Sequence, residues 1–297
     1  MTFEQLAIFV AVAEREHLTR AAEAIGLTPS AVSSAIRTLE SFYRVELFNR
    51  VGRRIELTAE GHAFLPEAKA VLGRAKAAEL MLAEMGGLSR GALSVHASQT
   101  VASYWLPGVL MRFHADHPGI ELNLTIGNTT TVARAVLDGV ADIGFVEGPV
   151  DEPALSVTRI ASDEVILLVG RDHPWADGRK LAPENLVEDG AWVMREPGSG
   201  TRAVFESALS AYGLEPSSLK VVLEFPSNEA VLSAVRSGLC AAVVSEIAAE
   251  PQLRAGHLAR ANFALPARQF SCLHHKERRL SKAAAALQQL SREAAVT

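Results

Sequence analysis

Residues 24–40 have the sequence AIGLTPSAVSSAIRTLE, in which two helical patterns meet at a Gly-Leu-Thr-Pro corner. Thr followed by Pro predicts a helix start, because Thr caps free N–H groups and Pro has no N–H to leave unpaired at the first helical position. Apolar residues then recur at helical spacing and predict a buried stripe of Val32, Ile36 and Leu39. The remaining residues form a polar face that includes Thr28, Pro29, Ser30, Ser33, Ser34 and Arg37.

Upstream of this corner, apolar spacing predicts a first amphipathic helix that ends near Arg15, and Thr19 is the expected N-cap of a second. Ala22, Gly26 and Val32 have the spacing of a helix-turn-helix, whose second helix enters the major groove of DNA. The corner of a three-helix bundle with a solvated Ser/Arg face fits this spacing equally well.

The next segment, ELFNRVGRRIELTAEG (residues 46–61), predicts two short strands joined by a Gly-containing turn. Arg50, Arg53 and Arg54 lie at this turn and are expected to contact DNA phosphates as a wing. A solvated basic turn would explain any one of these arginines, but it explains three beside a recognition helix poorly.

From Leu18 to Gly61 the chain resembles the winged helix-turn-helix of LysR-type transcriptional regulators. The resemblance implies double-stranded DNA with pseudo-palindromic half-sites as a partner, RNA polymerase as a possible further contact, and no membrane. Two positions depart from the family pattern. Tyr43-Arg44 replaces the usual Leu-Gly and predicts a different helix end, because Arg is strained in the left-handed conformation. Pro29 replaces a frequent Gln and removes an amide that could contact adenine.

Charge is distributed unevenly along the 297 residues, whose formal net charge is −5. Residues 1–90 carry 11 basic and 11 acidic side chains, whereas the remainder carries 18 basic and 23 acidic ones.

The hydrophobic fraction of 48% is typical of a globular chain, and no apolar run reaches the roughly 18 residues of a membrane helix. The N-terminus lacks the basic segment of a signal peptide, and two cysteines are too few for a disulfide framework. We therefore expect a cytoplasmic protein.

Residues 59 to about 88 have the pattern of one long helix with an apolar stripe that needs a partner. The family resemblance implies that this helix forms a homodimer, with a tetramer as a dimer of dimers. Packing on the chain's own C-terminal domain is the alternative. Gly86-Gly87 and residues 89–91 predict a hinge.

Beyond residue 91, strand and helix patterns alternate and predict an α/β fold with helices on both sheet faces. The stretch VILLVG (165–170) is expected to be buried on both faces of a parallel sheet. By resemblance, this part forms two α/β subdomains of periplasmic-binding-protein type. The expected domains are a winged helix-turn-helix at 1–58, a linker and dimerisation helix with hinge at 59–90, and an effector-binding domain at 91–297, with subdomain I at 91–162 and 268–297 and subdomain II at 163–267.

Small polar residues follow several of the predicted strands, where helix N-termini favour the binding of anions. Such residues are also ordinary N-caps, so one junction is uninformative, but several at one sheet edge favour a ligand cleft. The candidate effector-binding residues are Ser98, Gln99, Thr100, Asn128, Thr129, Glu147, Glu196, Gly198, Ser199, Gly200 and Thr201. The strings EGP (147–149) and REPGSGTR (195–202) resemble a subgroup tied to sulfur assimilation and carbon fixation. This implies a sulfur oxyanion, or a small phosphorylated or carboxylated metabolite, as effector.

Other classes of function fit less well. REPGSGTR lacks the spacing of a phosphate-binding loop, and the sequence has no Gly-x-Ser-x-Gly motif, so we expect neither catalytic residues nor a cofactor. His274 and His275 are adjacent on a predicted strand and point to opposite faces, so no metal site is expected. A solute-binding protein of a transport system is the alternative function, although it has no use for residues 1–90.

Overall fold

The computed structural model describes residues 1–51, 54–85 and 91–294. The chain forms two compact units, Met1–Leu88 with Asp138–Val140, and Ser89–Leu137 with Ala141–Thr297. Among the described residues, no helix is both long and apolar enough to span a lipid bilayer.

The first unit is a small helical bundle with a β-hairpin, as the sequence predicts. Phe9 of the first helix lies at its centre, with ring centroids 5.4 Å from Phe48 of the hairpin and 5.0 Å from Phe64 of the last helix. One apolar core therefore holds both the hairpin and the start of the long helix. In chain order the elements are α1 (Phe3–Arg15), α2 (Leu18–Ala24), α3 (Pro29–Tyr43), β1 (Phe48–Val51), β2 (Arg54–Leu57) and α4 (Ala59–Met85).

Local capping fixes the corner between α2 and α3. The Oγ1 atom of Thr28 accepts the Ala31 N–H at 3.2 Å, so the predicted cap is confirmed. Gly26 has a φ of 68°, in the left-handed region that favours glycine. The prediction that Thr19 caps α2 is wrong. His17 has an extended backbone and its Nδ1 accepts the Arg20 N–H at 3.4 Å, so the helix begins at Leu18.

Helix α3 ends at Tyr43, and its C-cap residue is Arg44, which has φ 54° and ψ 43°. The expectation that Arg at this position changes the helix end is therefore wrong, because Arg44 takes the left-handed conformation despite its strain. Neighbouring hydrogen bonds explain why. The Glu40 carbonyl accepts the N–H of both Arg44 and Val45, and the Glu40 Oε1 atom accepts the N–H of Leu47 and Phe48 at 2.8 and 3.2 Å. These bonds require a sharp turn into β1.

Helix α4 packs on the core of its own unit over its first turns. Ala68 is fully buried, and Leu65 and Leu72 lie against the same core. The apolar stripe thus begins against the core of its own unit, which is neither a second subunit nor the C-terminal domain. Val71 and Leu82 are 39% and 68% exposed. The predicted hinge at Gly86-Gly87 lies outside the described residues.

Among the described residues, the second unit contains a five-stranded sheet and a second sheet made of a three-stranded and a two-stranded part. Strands and helices alternate in the order β3 (Gly91–Ser98), a π-helical turn (Val101–Trp105), α5 (Leu106–Asp116), β4 (Ile120–Gly127), α6 (Thr129–Asp138), β5 (Ile143–Glu147), β6 (Leu155–Asp163), β7 (Val165–Gly170), α7 (Pro183–Glu188), β8 (Ala191–Arg195), α8 (Gly200–Ala211), β9 (Lys220–Phe225), α9 (Asn228–Val235), β10 (Ala242–Ser245), α10 (Glu246–Arg254), β11 (Leu258–Arg260), β12 (Arg268–His275) and α11 (Lys282–Glu293). Within the described residues, the first sheet has the strand order β4-β3-β5-β12-β6. Strand β3 is parallel to β4 and β5, whereas β12 is antiparallel to β5 and β6.

The second sheet is built around β7, which is buried along its whole length. Its neighbours β10 and β11 both run antiparallel to it, so the expectation of a parallel setting is wrong. Burial on both faces comes from helices above and below the sheet and does not require parallel neighbours. The parallel pair β8–β9 joins this sheet through Ala241, whose N–H donates to the Ala191 carbonyl at 2.8 Å.

The conformation of Arg44 predicts that Arg44→Gly stabilises the first unit. A left-handed non-glycine residue costs about 1–2 kcal/mol, and the greater freedom of Gly in the unfolded chain offsets only about 0.5–1 kcal/mol. We expect a gain of about 0.5–1 kcal/mol in the free energy of unfolding. Arg44→Ala keeps the Cβ atom and should change it by less than about 0.5 kcal/mol.

Urea unfolding followed by circular dichroism measures this effect. Tryptophan fluorescence separates the units, because all three tryptophans (Trp105, Trp175 and Trp192) lie in the second. A loss of stability in Arg44→Gly, or an equal gain in Arg44→Ala, would contradict the assigned strain.

Candidate functional site

The polar face of α3 is open to solvent at its N-terminal end. Thr28, Pro29, Ser30, Ser34 and Arg37 are exposed, whereas Ser33 is half-buried. The Arg37 guanidinium donates to the Ser33 Oγ atom at 3.1 Å and to the Ser33 carbonyl at 3.3 Å. Arg37 is therefore folded against its own helix and must release these bonds to reach a DNA base.

The hairpin beside α3 forms as the sequence predicts. Strands β1 and β2 are antiparallel, with Val51 opposite Arg54 and Arg50 opposite Ile55. Arg53 lies outside the described residues, and the structure does not describe the side chains of Arg50 and Arg54. Their contact with DNA phosphates stays a prediction.

In the second unit, the predicted effector residues meet around the backbone of Glu147. The Ser98 hydroxyl donates to the Glu147 carboxylate, and the Thr129 hydroxyl donates to the Glu147 carbonyl at 2.6 Å. Gly200 lies against the same carbonyl, since a Cβ atom on Gly200 would come within 1.9 Å of that oxygen. The ends of β3 and β5 thus meet the starts of α6 and α8 at one point.

The loop that precedes α8 is bonded to the start of α6. The Asn128 Nδ2 atom donates to Glu196 Oε1 at 3.2 Å, and the Thr130 N–H donates to the Gly198 carbonyl at 3.2 Å. Gly198 has a φ of 90°, a conformation that favours glycine. The loop from Glu196 to Ser199 is therefore held between the two sheets.

Asn228, at the start of α9, binds the first sheet to the second. Its Oδ1 accepts from Arg195 at 2.9 Å, its Nδ2 donates to the Thr100 Oγ1 atom at 3.0 Å, and its N–H donates to Gln99 Oε1 at 3.0 Å. Arg195 in turn donates to Glu196 at 2.8 Å. Asn228 and Arg195 were not among the predicted site residues. Both flank strand-to-helix junctions, and that position was the available signal.

A buried ion pair lies where the chain crosses between the sheets. Arg268 at the start of β12 donates to Asp163 at 2.6 Å and to the Thr201 hydroxyl at 2.8 Å. Ser245 donates to the other oxygen of Asp163 at 2.6 Å. This cluster joins the N-terminal turn of α8 to the crossover strands. Sequence reasoning missed it, because nothing local distinguishes Arg268 or Asp163 from surface charges.

Two buried polar atoms of this region have no hydrogen-bond partner among the described residues. They are the Ser199 Oγ atom, in a residue that is 1% exposed, and the Nη2 atom of Arg268. Ser199 is the N-cap of α8, which is 12 residues long, and its side chain does not cap the helix. The first N–H groups of a helix have no partner within it and carry partial positive charge. Ser199 and these N–H groups can therefore donate to an oxyanion.

The arginines of this region already have carboxylate partners. Arg195 pairs with Glu196 at 2.8 Å and Arg268 with Asp163 at 2.6 Å, while Arg202 pairs with both Glu206 and Glu224. Besides hydroxyl groups and helix N-termini, the Nη2 atom of Arg268 is therefore the guanidinium donor left for an anion among the described residues of this region.

Tyr104 adds a contact between the π-helical turn and α9. Its hydroxyl donates to Glu229 Oε1 at 2.8 Å. Burial, together with this bond, raises the pKa of Tyr104 above its usual value. Tyr104 therefore remains protonated, and the bond persists throughout the neutral pH range.

Neither cysteine is suited to thiolate chemistry. Burial raises the pKa of Cys272 to about 12 and shifts the pKa of Cys240 in the same direction. Burial and the neighbouring His275 lower the pKa of His274, which favours its neutral form. Across the described ranges, His, Cys, Asp and Glu form no cluster of three that could hold a metal ion.

The Arg268–Asp163 pair predicts a large cost for removing one partner. Arg268→Met leaves a buried carboxylate without a cation, so we expect a loss of about 3–5 kcal/mol in the second unit. Arg260→Met is the matched control, because Arg260 is half-exposed and pairs with Glu246 at 3.3 Å; it should cost less than about 1 kcal/mol. Urea unfolding followed by tryptophan fluorescence measures both. Equal effects of the two substitutions would contradict the role of the buried pair.

Comparison with known proteins matches both units. Residues 3–62 match the model for the bacterial regulatory helix-turn-helix protein of the lysR family, and residues 86–296 match the LysR substrate binding domain. The chain is 34% identical to the uncharacterized HTH-type transcriptional regulator YeiE of Escherichia coli K12, over 95% of this chain and 94% of YeiE. It is 33% identical to the RuBisCO operon transcriptional regulator of Acidithiobacillus ferrooxidans, over 87% of this chain and 82% of that protein.

The fold also matches a solved full-length regulator. The structure of CbnR complexed with its target DNA superposes with a TM-score of 0.69 at 24% identity, covering 99% of this chain and 100% of CbnR.

Proposed function

The chain belongs to the LysR family of transcriptional regulators, and from that premise we propose that it binds promoter DNA through α3 and the β1–β2 hairpin and senses a small anion at the N-terminus of α8. The proteins of this family are regulators and not enzymes. The alternative of a transport solute-binding protein is contradicted by the helix-turn-helix match over residues 3–62. We also propose that it acts in the cytoplasm, where promoter DNA is its partner.

The exposed start of α3 supports the DNA-binding proposal. In a helix-turn-helix, the N-terminal residues of the second helix contact base edges in the major groove. Ser30, Ser34 and Arg37 are exposed at that end, and the hairpin lies next to it in the chain. We propose that Arg37 contacts bases and that Arg50, Arg53 and Arg54 contact phosphates.

Exposed apolar side chains support self-association. Leu82 on α4 lies beyond the part of the helix that packs on its own unit. In the second unit, Ile126 and Leu223 are each more than half exposed on β4 and β9, which are edge strands of their sheets. Two such surfaces allow a homodimer through α4 and a tetramer as a dimer of dimers, and a dimer presents two recognition helices to paired half-sites.

The buried Ser199 hydroxyl without a partner carries the effector proposal. A buried hydroxyl that lacks a hydrogen bond is costly, and a bound oxyanion would satisfy it. The proposed effector is a sulfur oxyanion or a small phosphorylated or carboxylated metabolite. The likeness to a RuBisCO operon regulator favours a phosphorylated or carboxylated metabolite. The REPGSGTR string favours a sulfur oxyanion.

Signal transfer follows from the bonds that join the two sheets. We propose the division of the effector domain given above, with subdomain I at 91–162 and 268–297 and subdomain II at 163–267. An anion that changes the bonds of Thr201 to Arg268, or of Thr100 to Asn228, would favour one arrangement of the subdomains over another. Unequal affinity of the anion for two arrangements is the requirement for such coupling.

Phosphate contacts by the hairpin predict a weaker salt dependence after charge removal. In the triple variant Arg50→Gln, Arg53→Gln and Arg54→Gln, the slope of log affinity against log salt should fall by about 0.9 for each lost contact. Fluorescence anisotropy with a random-sequence duplex measures this slope. The matched control neutralises three exposed arginines of the second unit: Arg171, Arg179 and Arg254. An unchanged slope in the hairpin variant would show that the hairpin is not a wing.

Anion binding at α8 predicts thermal stabilisation of the full chain. Sulfite, sulfate, phosphate, phosphoglycolate and small carboxylates are each titrated, and the effector should raise the melting temperature as its concentration increases. Ser199→Ala should abolish this shift. Ser210→Ala removes an exposed hydroxyl on the same helix and should leave the shift unchanged. If no anion raises the melting temperature, the proposed anion site is refuted.

A further inference from the structure

We infer that the anion bound at α8 must carry a proton, and that the carboxylate of Glu147 selects for it. This rests on the proposed function, since it names the ligand class of the same site. The class is an oxyanion with an O–H group at neutral pH, such as hydrogensulfite or hydrogenphosphate, and it excludes sulfate.

Glu147 is a buried carboxylate with few partners. It ends β5, whose five residues are all buried, and its own exposure is 1%. The Ser98 hydroxyl donates to its Oε2 atom, and none of the ion pairs among the described residues includes Glu147. A carboxylate has about four lone-pair positions. A buried charge with so few donors is unfavourable, so a ligand that donates a hydrogen bond would stabilise it.

The backbone of Glu147 borders the proposed anion site. Gly200, the first residue of α8, is packed against the Glu147 carbonyl, and a Cβ atom on Gly148 would come within 3.0 Å of the Gly200 Cα atom. Ser199 directly precedes Gly200 in the chain. The residue that carries the carboxylate and the N-cap with the unpaired hydroxyl are therefore in adjoining segments.

These groups differ in the ligand atoms with which they can form hydrogen bonds. The Ser199 hydroxyl and the first N–H groups of α8 donate hydrogen bonds, so they suit unprotonated oxygens. The Glu147 carboxylate only accepts, so it suits an O–H group. Arg195, Arg202 and Arg268 each form an ion pair with a carboxylate other than that of Glu147. A fully deprotonated anion would place its lone pairs against this carboxylate and be repelled.

A comparison of phosphate with sulfate tests this inference, because both anions are tetrahedral and only phosphate carries a proton at neutral pH. In the full chain, we expect phosphate or sulfite to raise the melting temperature at concentrations at least about tenfold lower than sulfate. Glu147→Gln replaces one acceptor oxygen with a donor. This variant should improve the binding of sulfate relative to phosphate by at least about tenfold.

Glu121→Gln is the matched control, because it removes the same charge from the exposed strand β4 and should leave the preference unchanged. If Glu147→Gln does not fold, the preference of the unaltered chain for phosphate over sulfate still tests the inference. Equal stabilisation by sulfate and phosphate, or a shift with carboxylates alone, overturns the inference and leaves the proposed anion sensor intact. No shift with any of these anions contradicts the proposed function and this inference with it.

Discussion

The second unit depends on buried polar bonds to join its two sheets. Apolar side chains form separate cores on the faces of each sheet. The hydrogen bonds that cross between the sheets join Asn228 to Thr100, Ser245 to Asp163 and Arg268 to Thr201. Buried polar groups need partners, so each of these bonds constrains the position of one sheet relative to the other. A ligand that competes for one such bond alters that constraint directly. This is a physical basis for a sensor, because apolar packing alone would respond little to a small anion.

The features that the sequence predicted are those with local causes. Thr28 and Pro29 define the start of α3 through bonds within four residues, and Gly26 supplies a backbone conformation that only glycine adopts easily. The same local rules failed at His17 and Arg44. At His17 an uncommon capping residue replaced Thr19, and at Arg44 several hydrogen bonds of Glu40 outweighed the strain of the left-handed conformation.

The position of the candidate site was predictable from the sequence, but the hydrogen bonds that join its residues were not. Strand ends and helix starts are local features, and they located Ser98, Glu147 and Ser199, which the structure brings to adjoining segments. The bonded partners in this region are distant in the chain: Ser98 and Glu147 are separated by 49 residues, and Asp163 and Arg268 by 105. A single sequence does not specify such pairs. The antiparallel neighbours of β7 were missed for the same reason, since burial on both faces is compatible with either direction.

The proposed sensor depends on an oxyanion that Ser199 binds at the start of α8. A crystal structure of the full chain soaked in selenite, which carries a proton at neutral pH, tests it most directly, because selenium is located by its anomalous scattering. We expect an anomalous peak within hydrogen-bonding distance of the Ser199 Oγ atom and the first N–H groups of α8. A peak elsewhere in the second unit, with the Ser199 hydroxyl still unpaired, would contradict it.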